Sequence, residues 1–273
     1  MFNNLIETKE PTIHVIFESV LGVGNVKPKK LSNGHISYTG DLQGVNEINR
    51  NTNFYPDDVI MEAIHSQRIA DMVSRNVWFG ELTHPYQKKD FHRCMEIIPT
   101  NISHAILEVP KLQGSRIISE IETVDPMGKT VVSWMERERS SILGHSMRGL
   151  TPYKFVKETP YRHNVIKKPM SILTYDIVFF PSHDKSLQMI DAKILTRESP
   201  LMWDFKMGEI AEFITTESGY YDIFRNELGI EIDKTKKITR VNGESAITLG
   251  LKDGSYAKMS LELDILKTIG SEL

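Results

Sequence analysis

Ser171-Ile172-Leu173-Thr174-Tyr175-Asp176-Ile177-Val178-Phe179-Phe180 is the stretch on which the fold turns. Ile172, Tyr175, Ile177, Val178 and Phe179 are β-formers, so the run reads as a strand. Residues 142–150 read as another strand, and Thr12 to Phe17 as an early one. Asp176 stands inside the first run between apolar neighbours. A carboxylate there is either outward-facing on an edge or held inside for a purpose.

Outward from these strands, the region up to Tyr38 is punctuated by Gly22, Gly24 and Asn33-Gly34, which signals turns. The stretch from Asp57 to Ser74 spaces Ile60, Met61, Ile64, Ile69, Met72 and Val73 as one helix would. β-rich runs follow at 77–82, 102–109 and 115–122, the last ended by the turn-like Asp125-Pro126-Met127-Gly128. A helix over about 128–139 would turn Val131, Val132 and Met135 inward and its charged end to water. Residues 151–170 carry Lys154, Lys157, Arg162, Lys167 and Lys168 against Glu158, and Pro152, Pro160 and Pro169 predict an irregular basic loop. Beyond about residue 190, a helix is expected at 217–228. Asn242-Gly243 and Asp253-Gly254 then separate β-type runs at 236–241, 245–251 and 255–260, which is a three-stranded meander signature. The expectation is an α+β protein: a mainly antiparallel, β-barrel-like body with surrounding helices over 1–190, and a small C-terminal α+β appendage over 191–273.

Composition narrows the class. The 273 residues carry 33 Lys and Arg against 36 Asp and Glu, a formal net charge of −3, so bulk charge gives nucleic-acid binding no support. At 40% hydrophobic residues the chain can bury a core, which excludes intrinsic disorder, collagen and heptad-only coiled coil. Apolar runs such as Ile177 to Phe180 fall far short of the roughly 20 residues of a spanning helix, and Glu7 and Glu10 interrupt the N-terminal segment where a secretory signal would be apolar. No membrane role is expected. A single cysteine, Cys94, cannot make an intrachain disulfide and fits a reducing cytosol.

Among nine histidines, His84, His92 and Cys94 lack the tight spacing that zinc sites favour, so neither a metal nor a cofactor is expected. Gly144-His145-Ser146-Met147-Arg148-Gly149 sets a serine between glycines on a strand, although it is not the Gly-x-Ser-x-Gly elbow. A serine hydroxyl needs a base within hydrogen-bond reach, and His84 in Gly80-Glu81-Leu82-Thr83-His84-Pro85 could be that base, biased toward extended geometry by Pro85. His145, adjacent to Ser146 on a strand, should point to the opposite face. A third group must orient the imidazole; Asp176 and Glu81 are the two candidates.

Taken together, six blocks resemble the prohead (procapsid maturation) proteases of tailed bacteriophages, which share a fold with the herpesvirus assemblins. In chain order they are Asn49-Arg50-Asn51 with Phe54-Tyr55-Pro56; Gly80 to Pro85; Ser103-His104-Ala105-Ile106; Asp125 to Lys129; Gly144 to Gly149; and Asp176 to Ser182. The resemblance spans about residues 45–190. It implies a serine endopeptidase with Ser146 as nucleophile, His84 as general base and, on the strand after the serine, Asp176 as third member. Backbone N–H groups near Arg148-Gly149 are the expected oxyanion donors, with Glu81 in support. The resemblance also implies that the substrates are phage scaffold and major capsid proteins, and the chain itself, cut after glutamate. Gly270-Ser271-Glu272 and Ser260-Leu261-Glu262 look like such sites. Work of this kind takes place in the host cytoplasm inside the assembling procapsid, with self-association and no nucleic acid required. The competing reading is a catalytically inactive structural virion protein that shares the protease and tail-tube fold.

Overall fold

The structure is a computed structural model, and it describes residues 12–21, 28–49, 53–85, 90–136, 143–151, 156–158, 163–179, 202–206, 210, 220, 223–232, 238–241, 244–250 and 256–260. The chain divides into two compact units, one of His14–Trp203 and one of Met1–Ile13 with Asp204–Leu273. The boundary expected near residue 190 falls outside the described residues.

The larger unit is built on strands β1 (Thr12–Leu21), β2 (Lys29–Lys30), β3 (Ile36–Gly44), β4 (Asn53–Phe54), β5 (Phe79–Glu81), β6 (Ile102–Ile106), β7 (Lys111–Gln113), β8 (Arg116–Thr123), β9 (Leu143–Thr151), β10 (Val156–Glu158), β11 (His163–Val165) and β12 (Ser171–Phe179). β12, β9 and β1 pair antiparallel with β9 in the centre. Every residue of β9 is buried, which is why this stretch, flanked on both edges, tolerates a polar group only with a partner. A second antiparallel sheet runs β2-β3-β8-β6-β5, with β7 also on β8. Along β8 burial alternates residue by residue, the period-two signature of a sheet with one face packed. Tyr38, Ile106, Ile117 and Ile121 of this sheet share a core with Ile16, Met147, Ile172 and Tyr175 of the first.

The expectation of a barrel is corrected: among the described residues the sheets do not close. They meet where Leu82 bridges Ile177 in parallel and the Thr83 N–H donates to the Ile177 carbonyl (2.7 Å). Thr83 sits at φ 70°, a left-handed conformation that turns the chain away after one bridge, so the pairing that would seal a barrel stops there.

The single helix expected over Asp57–Ser74 is two, α1 (Asp57–Ile64) and α2 (Gln67–Ser74). Ser66 adopts an extended ψ of 147° and its side chain accepts from the Ile69 N–H, so it caps the second helix and breaks the first. Helix α3 (Phe91–Met95) is capped the same way by Asp90. Helix α4 (Gly128–Met135) buries Val131 and lays Trp134 and Met135 against Leu82, Leu143 and Ile177. Within 151–170 the expected irregular loop is partly ordered instead. β10 and β11 form a hairpin, and β11 pairs parallel with β4, Val165 opposite Phe54. Lys168 reaches Asp58 (3.0 Å) and Glu62 (2.7 Å) on α1.

β13 (Met202–Lys206) follows in chain order. The other unit then holds a wide helical turn at Ile223–Glu227, closed by Leu228 N–H donating to Ile223 O (3.1 Å), inside the helix expected at 217–228. Its antiparallel sheet runs β14 (Ile230–Ile232), β15 (Ile238–Val241), β16 (Glu244–Gly250) and β17 (Tyr256–Ser260), so the meander has four strands where three were expected. The Asn242-Gly243 and Asp253-Gly254 turns lie outside the described residues.

Candidate active site

Register brings the first two site residues together. β9 and β12 pair so that Ser146 lies directly opposite Asp176, and paired residues project from the same face. Two residues along β9, Arg148 projects from that same face, while His145 projects from the other. There its Nδ1 donates to the Asp41 carbonyl (3.1 Å) and its Nε2 accepts from the Tyr38 hydroxyl (3.2 Å), as alternation requires. His84 arrives from a different sheet. The Leu82 bridge to Ile177 and the turn at Thr83 carry its imidazole over Asp176 and Ser146.

His84 Nδ1 donates to Asp176 Oδ2 (2.6 Å), and Ser146 Oγ lies in short contact with His84 Nε2. An ionised carboxylate only accepts, so the Asp176 contact puts the ring proton on Nδ1 and turns an unprotonated Nε2 toward the Ser146 hydroxyl. Ser146, His84 and Asp176 are all buried. Burial, with Arg148, lowers the His84 pKa against the pull of Asp176, which favours the neutral imidazole. For Asp176 burial acts upward, yet Arg148 and His84 prevail and hold the carboxyl down to about 2.

Arg148 has no exposed side-chain surface. Its Nε (3.0 Å) and Nη2 (2.7 Å) donate to Asp176 Oδ2, and Nη2 also donates to Glu81 Oε2 (2.6 Å). Nη1 donates to the carbonyls of Cys94 (3.2 Å) and Glu96 (2.9 Å). Glu81, the alternative third member, therefore turns away from His84 and toward cations. Its carboxylate also accepts from Arg93 Nη2 and from the Ile98 N–H (2.8 Å), while its own N–H donates to Asp176 Oδ1 (2.9 Å). Gly149 lies between Ile16 of β1 and Ile172 of β12, and Arg148 between Phe17 and Thr174. Arg148 and Gly149, the expected oxyanion supports, therefore stand within the paired stretch of β9.

Behind Asp176 lies His104, which sequence reading did not single out as a site residue. Its Nδ1 meets Ser103 Oγ (2.9 Å), its ring lies edge-on to His145 with centroids 5.7 Å apart, and burial pushes its pKa down to about 4. Arg93 was missed too; nothing in the charged segment around it marks one arginine above its neighbours. The pairing of Arg148 did have a signal, because a cation and a carboxylate each embedded in an apolar strand call for a partner. Among the described residues no cluster of His, Cys, Asp and Glu could hold a metal, and both nitrogens of His84 are engaged. No helix among them is long and apolar enough to cross a membrane.

A serine hydroxyl, a neutral imidazole and an ionised carboxylate in a relay are the working parts of a hydrolase that attacks acyl groups. The chain belongs to the Peptidase S80 family, whose family model matches residues 16–245. Membership bears out the resemblance read from the motifs and extends it on both sides of residues 45–190. A solved structure of the bacteriophage T4 capsid assembly protease aligns with 61% of this chain and 98% of its own at 17% identity and a TM-score of 0.49. No curated protein matches the chain.

Proposed function

We propose that the chain is a serine endopeptidase of procapsid maturation, with Ser146 as nucleophile, His84 as general base and Asp176 as the carboxylate that orients it. The observation that carries this reading is the continuous relay from Ser146 Oγ through both ring nitrogens of His84 to Asp176 Oδ2. As Ser146 Oγ attacks a peptide carbonyl, its proton passes to His84 Nε2, and Asp176 stabilises the imidazolium that forms. His84 then gives that proton to the leaving amine, and the acyl-enzyme is hydrolysed by water that the same imidazole activates. An inactive structural protein would have no use for three buried polar side chains so aligned.

The substrates we assign are phage scaffold and major capsid proteins and the chain itself, within the assembling procapsid of the host cytoplasm. Family membership supports a peptidase; the motif resemblance supports these targets. The test is intact-mass spectrometry of the wild-type chain and of Ser146→Ala after incubation with a phage scaffold protein. Cleavage beside glutamate by wild type alone is the expected result. Equal cleavage by Ser146→Ala would end the serine-protease reading.

A further inference from the structure

A row of alternating charges runs from the surface to the imidazole. Arg93, whose side chain is 22% exposed, donates to both carboxylate oxygens of buried Glu81. Glu81 accepts from Arg148, Arg148 donates twice to Asp176 Oδ2, and that same oxygen accepts from His84 Nδ1. The two carbonyls at the end of α3 take the remaining Arg148 nitrogen, so all three guanidinium nitrogens are committed. A guanidinium stays charged at every working pH, which makes this a fixed charge beside the base's partner.

We propose that Arg148 and Glu81 are positioning residues that set the pH range in which His84 works, Arg148 keeping the imidazole neutral to lower pH and Glu81 limiting that effect. The inference rests on the assignment of His84 as the base. Its physical root is the sharing of one oxygen. Asp176 Oδ2 would stabilise an imidazolium most if it faced His84 alone, but it is already bonded to a cation, so a proton arriving on His84 gains less. Glu81 returns part of that field by drawing Arg148 toward itself. Among the described residues, the charged and titratable groups around His84 are Asp176 from β12, Ser146 and Arg148 from β9 and Glu81 from β5. His104 from β6 acts on Asp176 but is neutral above about 4. Arg93 faces Glu81 and not the imidazole. The directions agree: after burial and Asp176, Arg148 lowers the His84 pKa by more than Glu81 raises it.

The experiment compares wild type, Glu81→Gln and the double variant Arg148→Met/Glu81→Gln, in which the buried cation and its counter-charge leave together. Two readouts are taken on the full chain. One is the acid limb of kcat/KM on the peptide that wild type is found to cut. The other is the NMR titration of His84 in histidine-labelled protein, which needs no activity. Glu81→Gln should move the His84 midpoint to lower pH and the double variant to higher pH. The separation between them should be on the order of one pH unit, the lower end of what a neighbouring charge does. A purely structural role would depress activity at every pH and leave the midpoint in place. Midpoints that coincide in all three proteins, or an upward shift in Glu81→Gln, overturn the inference. Should the double variant not fold, the sign of the Glu81→Gln shift decides, with Arg148→Lys expected to hold the wild-type limb at reduced kcat. Wild type that cuts nothing while His84 titrates as expected counts against the proposed function only; active wild type with unmoved midpoints counts against this inference only.

Discussion

Asp176→Asn removes one charge and one acceptor from a group that accepts from four nitrogens: Glu81 N (2.9 Å), His84 Nδ1 (2.6 Å), Arg148 Nε (3.0 Å) and Arg148 Nη2 (2.7 Å). A carboxamide has one accepting oxygen. If that oxygen keeps His84 and Arg148, the amide NH2 faces the Glu81 N–H, donor against donor. If the group flips, NH2 points at the guanidinium and at His84 Nδ1, which must then accept, so Nε2 carries the proton and cannot act as base. Either arrangement harms the relay, and kcat should fall by about 10⁴-fold, the scale at which this change disables a Ser-His-Asp relay. Arg148 keeps Glu81 as an ion partner, so the stability loss should sit at the low end for a broken buried pair, about 3 kcal/mol. That corresponds to a drop in Tm of roughly 6–12 °C for a unit of this size. The assays are kcat/KM on the cleaved peptide near neutral pH and thermal melting by circular dichroism. Activity within about tenfold of wild type would refute the orienting role that rests on this reasoning.

Glu81→Gln should be the faster enzyme of the two carboxylate variants at neutral pH, because Glu81 touches cations and not the imidazole; if steady-state kinetics find it slower than Asp176→Asn, the third role is misassigned. Gly80→Ala would set a Cβ 2.1 Å from the Tyr175 carbonyl and 2.3 Å from the His104 ring, where backbone must yield, whereas at Gly149 the nearest atom, 2.8 Å away, is the flexible end of Met170. Denaturant titration should find Gly80→Ala the more damaging, by about 3 kcal/mol or more against wild type, and an equal or milder effect than Gly149→Ala would contradict the packing. Acid should unfold the protein in two stages. His104 and His145, neutral in the fold with pKa values pushed by burial to about 4 and about 3, take up protons near 6.5 once unfolded, so the stability present above 6.5 is lost as pH falls toward those values. Asp176, held at about 2 against 3.8 mainly by Arg148 in opposition to burial, adds a loss between those two figures. A urea midpoint unchanged between about pH 7 and about pH 5 would sink the first stage.

Local pattern was enough for most strands. Residues 12–17, 142–150 and 171–180 announce themselves through β-branched and aromatic residues, and β1, β9 and β12 lie there, because strand propensity reflects side chains that fit a pleated surface. Ser146 and His84 were legible as candidates because the chemistry of a hydroxyl nucleophile narrows its partners to few residue types. Alternation along β9 also put His145 on the face away from Ser146. The break at Ser66 was carried by a cap residue set inside an unbroken apolar pattern, where periodicity outweighs a single serine.

The residues by themselves left Asp176 and Glu81 both open as the third member, and only the family resemblance favoured Asp176. Both carboxylates sit on strands near the motifs, and what separates them is the register that sets Asp176 opposite Ser146 and the single bridge at Leu82 and Ile177 that lands His84 on one and not the other. The same holds for the Arg148 contacts to Glu81, Cys94 and Glu96, which join residues more than 50 positions apart. Propensity and periodicity are properties of neighbours along the chain, so they determine that strands form, which residues share a face and which side chains could react. Register between distant strands and the angle at which two sheets meet depend on how the whole core packs, and that tertiary geometry decided which carboxylate meets the imidazole and which charges surround it.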